Sequence, residues 1–137
     1  MTRPAPRLDL SPFQRFLGLV LEDWSEGRVR LRLPFRDELR RRDDSDWLHG
    51  GVLSALVDIA GNYAVATRTG SGVPTVDMRV DYLRPARRGD VVAAARALKV
   101  GRGLAVADVE VTDASGAIVV VGRATYSTAA VQSGPTR

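Results

Sequence analysis

A chain of 137 residues with 45% apolar content suffices for one core, and the absence of cysteine rules out disulfides, thiolate metal sites and a cysteine nucleophile. The formal charge of +4 is almost all arginine, since Lys99 is the only lysine, and the arginines alternate with apolar residues or sit in turns instead of gathering with aromatics on one stripe. That pattern argues against a nucleic-acid partner, and the lack of a signal-like start or of any run near about 18 apolar residues predicts a cytoplasmic protein without a membrane span.

Residues 1–10 and 129–137 read as tails around a single domain over 11–128. Ser11 before Pro12 and "FQRFLGLV" predicts a short helix capped by serine with proline in its first turn. In "GRVRLRLPF", Val29, Leu31 and Leu33 alternate with Arg28, Arg30 and Arg32, the period of a strand with one wet face. A charged loop, "LRRRDD", leads to a long helix over 49–69. Four strands are expected next, over 74–83, 90–100, 103–113 and 117–128, with "TDASG" turning the chain between the last two. In the first of them Val76, Met78, Val80 and Tyr82 face one way, and Asp77, Arg79 and Asp81 the other. One dominant helix among strands with short connections is the pattern of an α+β domain with an antiparallel sheet packed on a helix.

At 100° per residue, Leu53, Leu56, Val57, Ala60, Tyr63 and Ala64 form the core side of the long helix. Asp58 projects from the other side with Ser54, Gly61, Asn62 and Val65. The spacing by itself fits a solvent-facing aspartate on an amphipathic helix; its small neighbours, with no lysine or glutamate among them, also leave room for a ligand. The helix begins "HGG", where first-turn N–H groups have no helical acceptor and glycine lets another molecule approach them. Those groups and the helix dipole suit a carbonyl oxygen that gains negative charge. With His49 the only histidine, a multi-histidine metal site is excluded, and no G-x-S-x-G elbow, P-loop or dinucleotide fingerprint is present.

"HGG" with an aspartate nine positions after the histidine, followed by "VDMRVDYLRPARRGD" and "KVGRGLAVADVEV", resembles the hotdog-fold acyl-CoA thioesterases of the phenylacetate-degradation (PaaI) type. The resemblance implies an antiparallel sheet wrapped around one central helix. It also implies a homo-oligomer, a dimer at minimum and by extension a dimer of dimers, with sheets joined edge to edge and active sites between subunits. The activity implied is hydrolysis of an acyl-CoA to free acid and coenzyme A without metal or other cofactor. Asp58 becomes the general base or nucleophile, the Gly50 N–H polarises the carbonyl, His49 shapes the turn, and the Thr75 hydroxyl, supplied by the other subunit, holds the water or the carboxylate. Tyr82, Leu83, Arg84, Pro85, Arg87 and Arg88, with Lys99, Gly101 and Arg102, match segments that line the nucleotide and pantetheine path; guanidinium groups suit its phosphates. Trp47 and Tyr63 are candidates to border an aromatic acyl pocket. The sequence departs from the family at Asp43, six residues before His49, where an Asn or Gln that can donate a hydrogen bond is usual. That departure keeps a second reading open, a hotdog module that binds acyl-CoA but turns it over poorly. A hydratase acting on enoyl-CoA is less well supported, because its Asp/His dyad motif is absent.

Overall fold

A computed structural model describes residues 3–129. The elements run α1 (Pro12–Leu17), β1 (Val20–Ser25), β2 (Arg28–Leu33), a single 3₁₀ turn (Asp37–Leu39), α2 (Gly50–Thr69), β3 (Thr75–Tyr82), β4 (Val91–Val100), β5 (Leu104–Thr112) and β6 (Ile118–Ser127). All strand pairs are antiparallel in one sheet of order β1-β2-β4-β5-β6-β3. The sheet curls around α2 in the hotdog arrangement that the sequence resemblance implied.

The sheet can close on the helix because the facing side chains are small. Ala93, Ala95 and Ala97 of β4 and Ala105 and Ala107 of β5 are buried, while α2 presents Leu53, Leu56, Val57, Ile59, Ala60, Ala64 and Val65 to the core. At two points the approach requires glycine. A Cβ on Gly122 would come within 2.6 Å of Val57 Cγ1, and one on Gly61 would collide with the Tyr126 hydroxyl. Packing this tight makes volume changes costly: Leu56, fully buried, would lose about 2–5 kcal/mol on truncation to alanine.

Several expectations are corrected. The first helix stops at Leu17 because Gly18 takes the left-handed conformation (φ 70°) and turns the chain into β1, a strand not anticipated from sequence. Gly61 and Val65, assigned to the open side of α2, are buried, whereas Tyr63, assigned to the core side, is half-buried with its hydroxyl on the Arg7 carbonyl. The first tail, from residue 3 onward, lies against α2 with Leu8 packed on the core. The second tail lies, beyond residue 129, outside the described residues. The alternation of β3 is present, with Met78 and Val80 packed against the core, yet its apolar side is open at both ends: Val76 is 58% and Tyr82 52% exposed. No helix among the described residues is long and apolar enough to cross a membrane.

Candidate active site

Asp58 is half-buried on α2 and bonded from two directions. The Thr75 hydroxyl donates to Oδ1 at 2.7 Å, and the Tyr126 hydroxyl donates to the Asp58 main-chain carbonyl at 2.8 Å. Tyr126 itself has no solvent exposure, and burial first, then the negative charge of Asp58 and the hydrogen bond to it, raise its hydroxyl well above the ordinary tyrosine range. It is therefore a fixed donor. Of the two carboxylate oxygens, Oδ1 is the one that Thr75 holds.

The helix start is organised by His49, which is extended (φ −64°, ψ 136°) and caps α2 by accepting the Gly51 N–H on Nδ1 at 2.8 Å. With Nδ1 an acceptor, the neutral ring carries its proton on Nε2. The His49 carbonyl takes the N–H groups of Val52 and Leu53, so the first-turn donor left without an acceptor among the described residues is Gly50. A side chain at position 51 would crowd the cap, since its Cβ would lie 3.1 Å from Nδ1. At position 50 a Cβ would make only ordinary contact with the Tyr82 ring, at 3.5 Å. Gly50 is thus not required by its own chain's packing, which fits a backbone kept bare for a ligand.

The remaining expected site residues fall into two groups. Leu48 N–H donates to the Ala86 carbonyl and the Tyr82 hydroxyl to the Gly50 carbonyl at 2.8 Å, so Tyr82, Leu83, Arg84, Pro85, Arg87 and Arg88 share an end of the molecule with His49 and Gly50. Arg87 stacks over Trp47 and faces Asp46 at 3.7 Å, and Arg88 stacks over Phe35 and pairs with Asp37 at 3.1 Å. Lys99 lies near the end of β4, opposite Val106, Gly101 and Arg102 lie in the turn that follows, and the Gly101 carbonyl accepts from the Thr128 hydroxyl, beside the end of β6. Most of β4, from Val91 to Leu98, separates the two groups, about 25 Å at the usual rise. One chain therefore does not bring the basic residues together. Asp43 is exposed in the loop before α2, its carbonyl held by Arg40 Nη1 at 2.7 Å.

Thr75 was expected to reach the carboxylate from another subunit; here it meets Asp58 of its own chain. The contact sits beside an irregularity of the sheet, since the β3–β6 pairing shifts register between Thr75 and Asp77. Sequence reasoning missed Tyr126, although a tyrosine on the buried face of a strand must find a partner for its hydroxyl.

A cavity of about 650 Å³ adjoins Asp58, lined among others by Asn62, Tyr63, Val73 and Leu10. A second concavity, about 670 Å³, lies on the outer face of the sheet and includes none of these residues. There, paired positions form a row across five strands, Arg28, Arg96, Asp108, Arg123 and Arg79. The Arg123 guanidinium, bonded to Asp108 at 2.6 Å, holds that carboxyl below the usual range. Among the described residues no cluster of three or more His, Cys, Asp or Glu could hold a metal ion.

Residues 47–120 match the family model of the thioesterase superfamily. The chain is 34% identical over 117 residues to human acyl-coenzyme A thioesterase 13, covering 82% of each. It is 30% identical over 130 residues to the medium/long-chain acyl-CoA thioesterase YigI of Salmonella typhimurium, covering 84% of each. Among solved structures, a variant of the phenylacetic acid degradation protein PaaI from Thermus thermophilus superposes with a TM-score of 0.75 at 30% identity, over 85% of this chain and 98% of that one.

Proposed function

Since this chain belongs to the thioesterase superfamily, we propose that it hydrolyses an acyl-CoA thioester at a site composed of two subunits, with Asp58 and Thr75 from one and the Gly50 N–H from the other. The observation that carries the reading is the Thr75-held carboxylate of Asp58 beside a cavity. Gly50 and Asp58 are eight residues apart on one helix, about 12 Å along its axis, which is too far for both to act on one thioester carbonyl.

An edge-to-edge dimer removes that distance. β3 is an edge strand with unpaired backbone groups and exposed Val76 and Tyr82. Two β3 strands paired antiparallel about a two-fold axis set the Thr75 end of one against the Tyr82 end of the other. Because Thr75 touches Asp58 and Tyr82 touches Gly50, the same pairing sets the carboxylate of one subunit beside the bare N–H of its partner. It also brings the Arg84–Arg88 group of one chain to the side that carries Lys99 and Arg102 in the other, so the basic residues converge for a polyanionic nucleotide.

In this arrangement Oδ2 of Asp58 acts on the thioester carbon, through a water it deprotonates or directly, while Thr75 keeps Oδ1 fixed. The Gly50 N–H and the positive end of α2 stabilise the charge that develops on the carbonyl oxygen. The cavity beside Asp58 receives the acyl group. The test is thiol release by the purified protein across aromatic, short-chain and long-chain acyl-CoAs. Saturable release is expected, and release from none of them would remove the reading.

A further inference from the structure

We infer that Asn62 is a positioning residue for catalysis, one that sets the Thr75 hydroxyl on Asp58 by clamping the loop in front of it; this rests on the thioesterase reading above. Asn62 lies one helical turn after Asp58 and is half-buried. Its Nδ2 donates to the Val73 carbonyl at 2.6 Å, and its Oδ1 accepts the Val73 N–H at 3.1 Å. Both backbone groups of Val73 are thus held by one side-chain amide, and their opposite polarity fixes which way that amide faces.

The clamp matters because it ties the segment before Thr75 to the helix that carries Asp58, where the buried Val73 side chain and the pairing of Thr75 with Tyr126 act from the core and the sheet. The connection from α2 contains Gly70 in the left-handed conformation, then Ser71 and Gly72, a composition with wide backbone freedom. The sheet ladder holds Thr75 at a single pair, opposite Tyr126, before the register shifts ahead of Asp77. Besides the amide clamp, Ser127 N–H holds the Pro74 carbonyl at 2.8 Å. With Val73 tied to α2 and Pro74 tied to β6, Thr75 has one place to go, and its hydroxyl arrives 2.7 Å from Oδ1 of Asp58. The carboxylate and the amide that aims its donor therefore sit on consecutive turns of one rigid helix, the kind of support that keeps a catalytic group in register.

If Asn62 merely tied down a loop, its loss would lower stability and leave turnover of the folded enzyme intact. A double-mutant cycle separates the two roles. Asn62→Ala, Thr75→Val, the double variant and Asp58→Asn are compared for kcat, KM and melting temperature. We expect Asn62→Ala to lower kcat about tenfold with KM changed less than about twofold, and to add less than about twofold in the Thr75→Val background, while the losses in melting temperature add in both. Asn62→Asp, isosteric but unable to donate to the Val73 carbonyl, should show the same kcat pattern and guards against misfolding of the alanine variant. Asp58-dependent turnover with kcat losses that multiply in the double variant would overturn the positioning role alone. Turnover indifferent to Asp58→Asn would overturn the thioesterase reading, and the positioning role with it.

Discussion

The hydroxyl of Thr75, the first residue of β3, donates to Oδ1 of Asp58 in the middle of α2 at 2.7 Å, within one chain. Holding a reacting group in its productive geometry acts on rate more than on folding when the contact is at the surface. Thr75→Val, which keeps shape and removes the donor, should therefore lower kcat about tenfold or more. Thr75 is exposed, so urea unfolding of the variant should change little. Steady-state kinetics with unfolding on the same preparations checks both halves.

At the helix start, the role of His49 as cap is separable from any proton transfer. His49→Ala removes the acceptor of the Gly51 N–H and should destabilise the fold by about 1 kcal/mol, the usual cost of a lost cap, whereas His49→Asn should retain most of it. Denaturant midpoints at constant slope measure this.

The contact between Gly61 and Tyr126 predicts a coupled pair. Gly61→Ala places a Cβ against the Tyr126 hydroxyl and should cost about 1–3 kcal/mol, the range of overpacking. Tyr126→Phe removes the atom in the way, so the double variant should be less destabilised than the sum of the single changes. Equilibrium unfolding of the three variants gives the coupling directly.

Tyr126 also gives the alkaline limit a sign. Its hydroxyl holds its proton more tightly folded than unfolded, so the folded state binds more protons wherever the unfolded tyrosine has ionised. Its contribution is complete below the unfolded value near about 10 and is lost as pH rises above it. Melting temperature against pH should fall on that side, and Tyr126→Phe should flatten the fall.

How much of this was legible in the sequence follows from what each feature depends on. The long helix and the four later strands were readable, and so was the place of Gly50 and Asp58 on that helix, because period and glycine placement are local. β1 was not, since "GLVLEDWS" joins directly to helical apolar residues and its pairing with β2 is broken by a register shift between Leu21 and Asp23. Tyr126 and Asn62 were hidden for another reason. Their partners, the Asp58 carbonyl and Val73, are chosen by how β6 and the 70–74 loop close on α2, which periodicity does not encode. Which chain gives Thr75 to Asp58 depends on the same closure.

The Gly50 N–H can be removed with little disturbance. Gly50 is the first residue of α2, and His49 before it is extended, the conformation that precedes proline. Gly50→Pro should keep the helix and lower kcat about 10²–10³-fold, the loss typical of an oxyanion donor.

That variant allows a direct test of the two-subunit site. Gly50→Pro and Asp58→Asn proteins, each nearly inactive, are mixed under conditions that exchange subunits, and thiol release is followed. If the N–H and the carboxylate come from different chains, each mixed dimer regains one intact site, and activity should rise to about a quarter of wild type, the binomial share for a two-fold dimer. Mixed dimers demonstrated by mass with no gain in turnover would contradict the account.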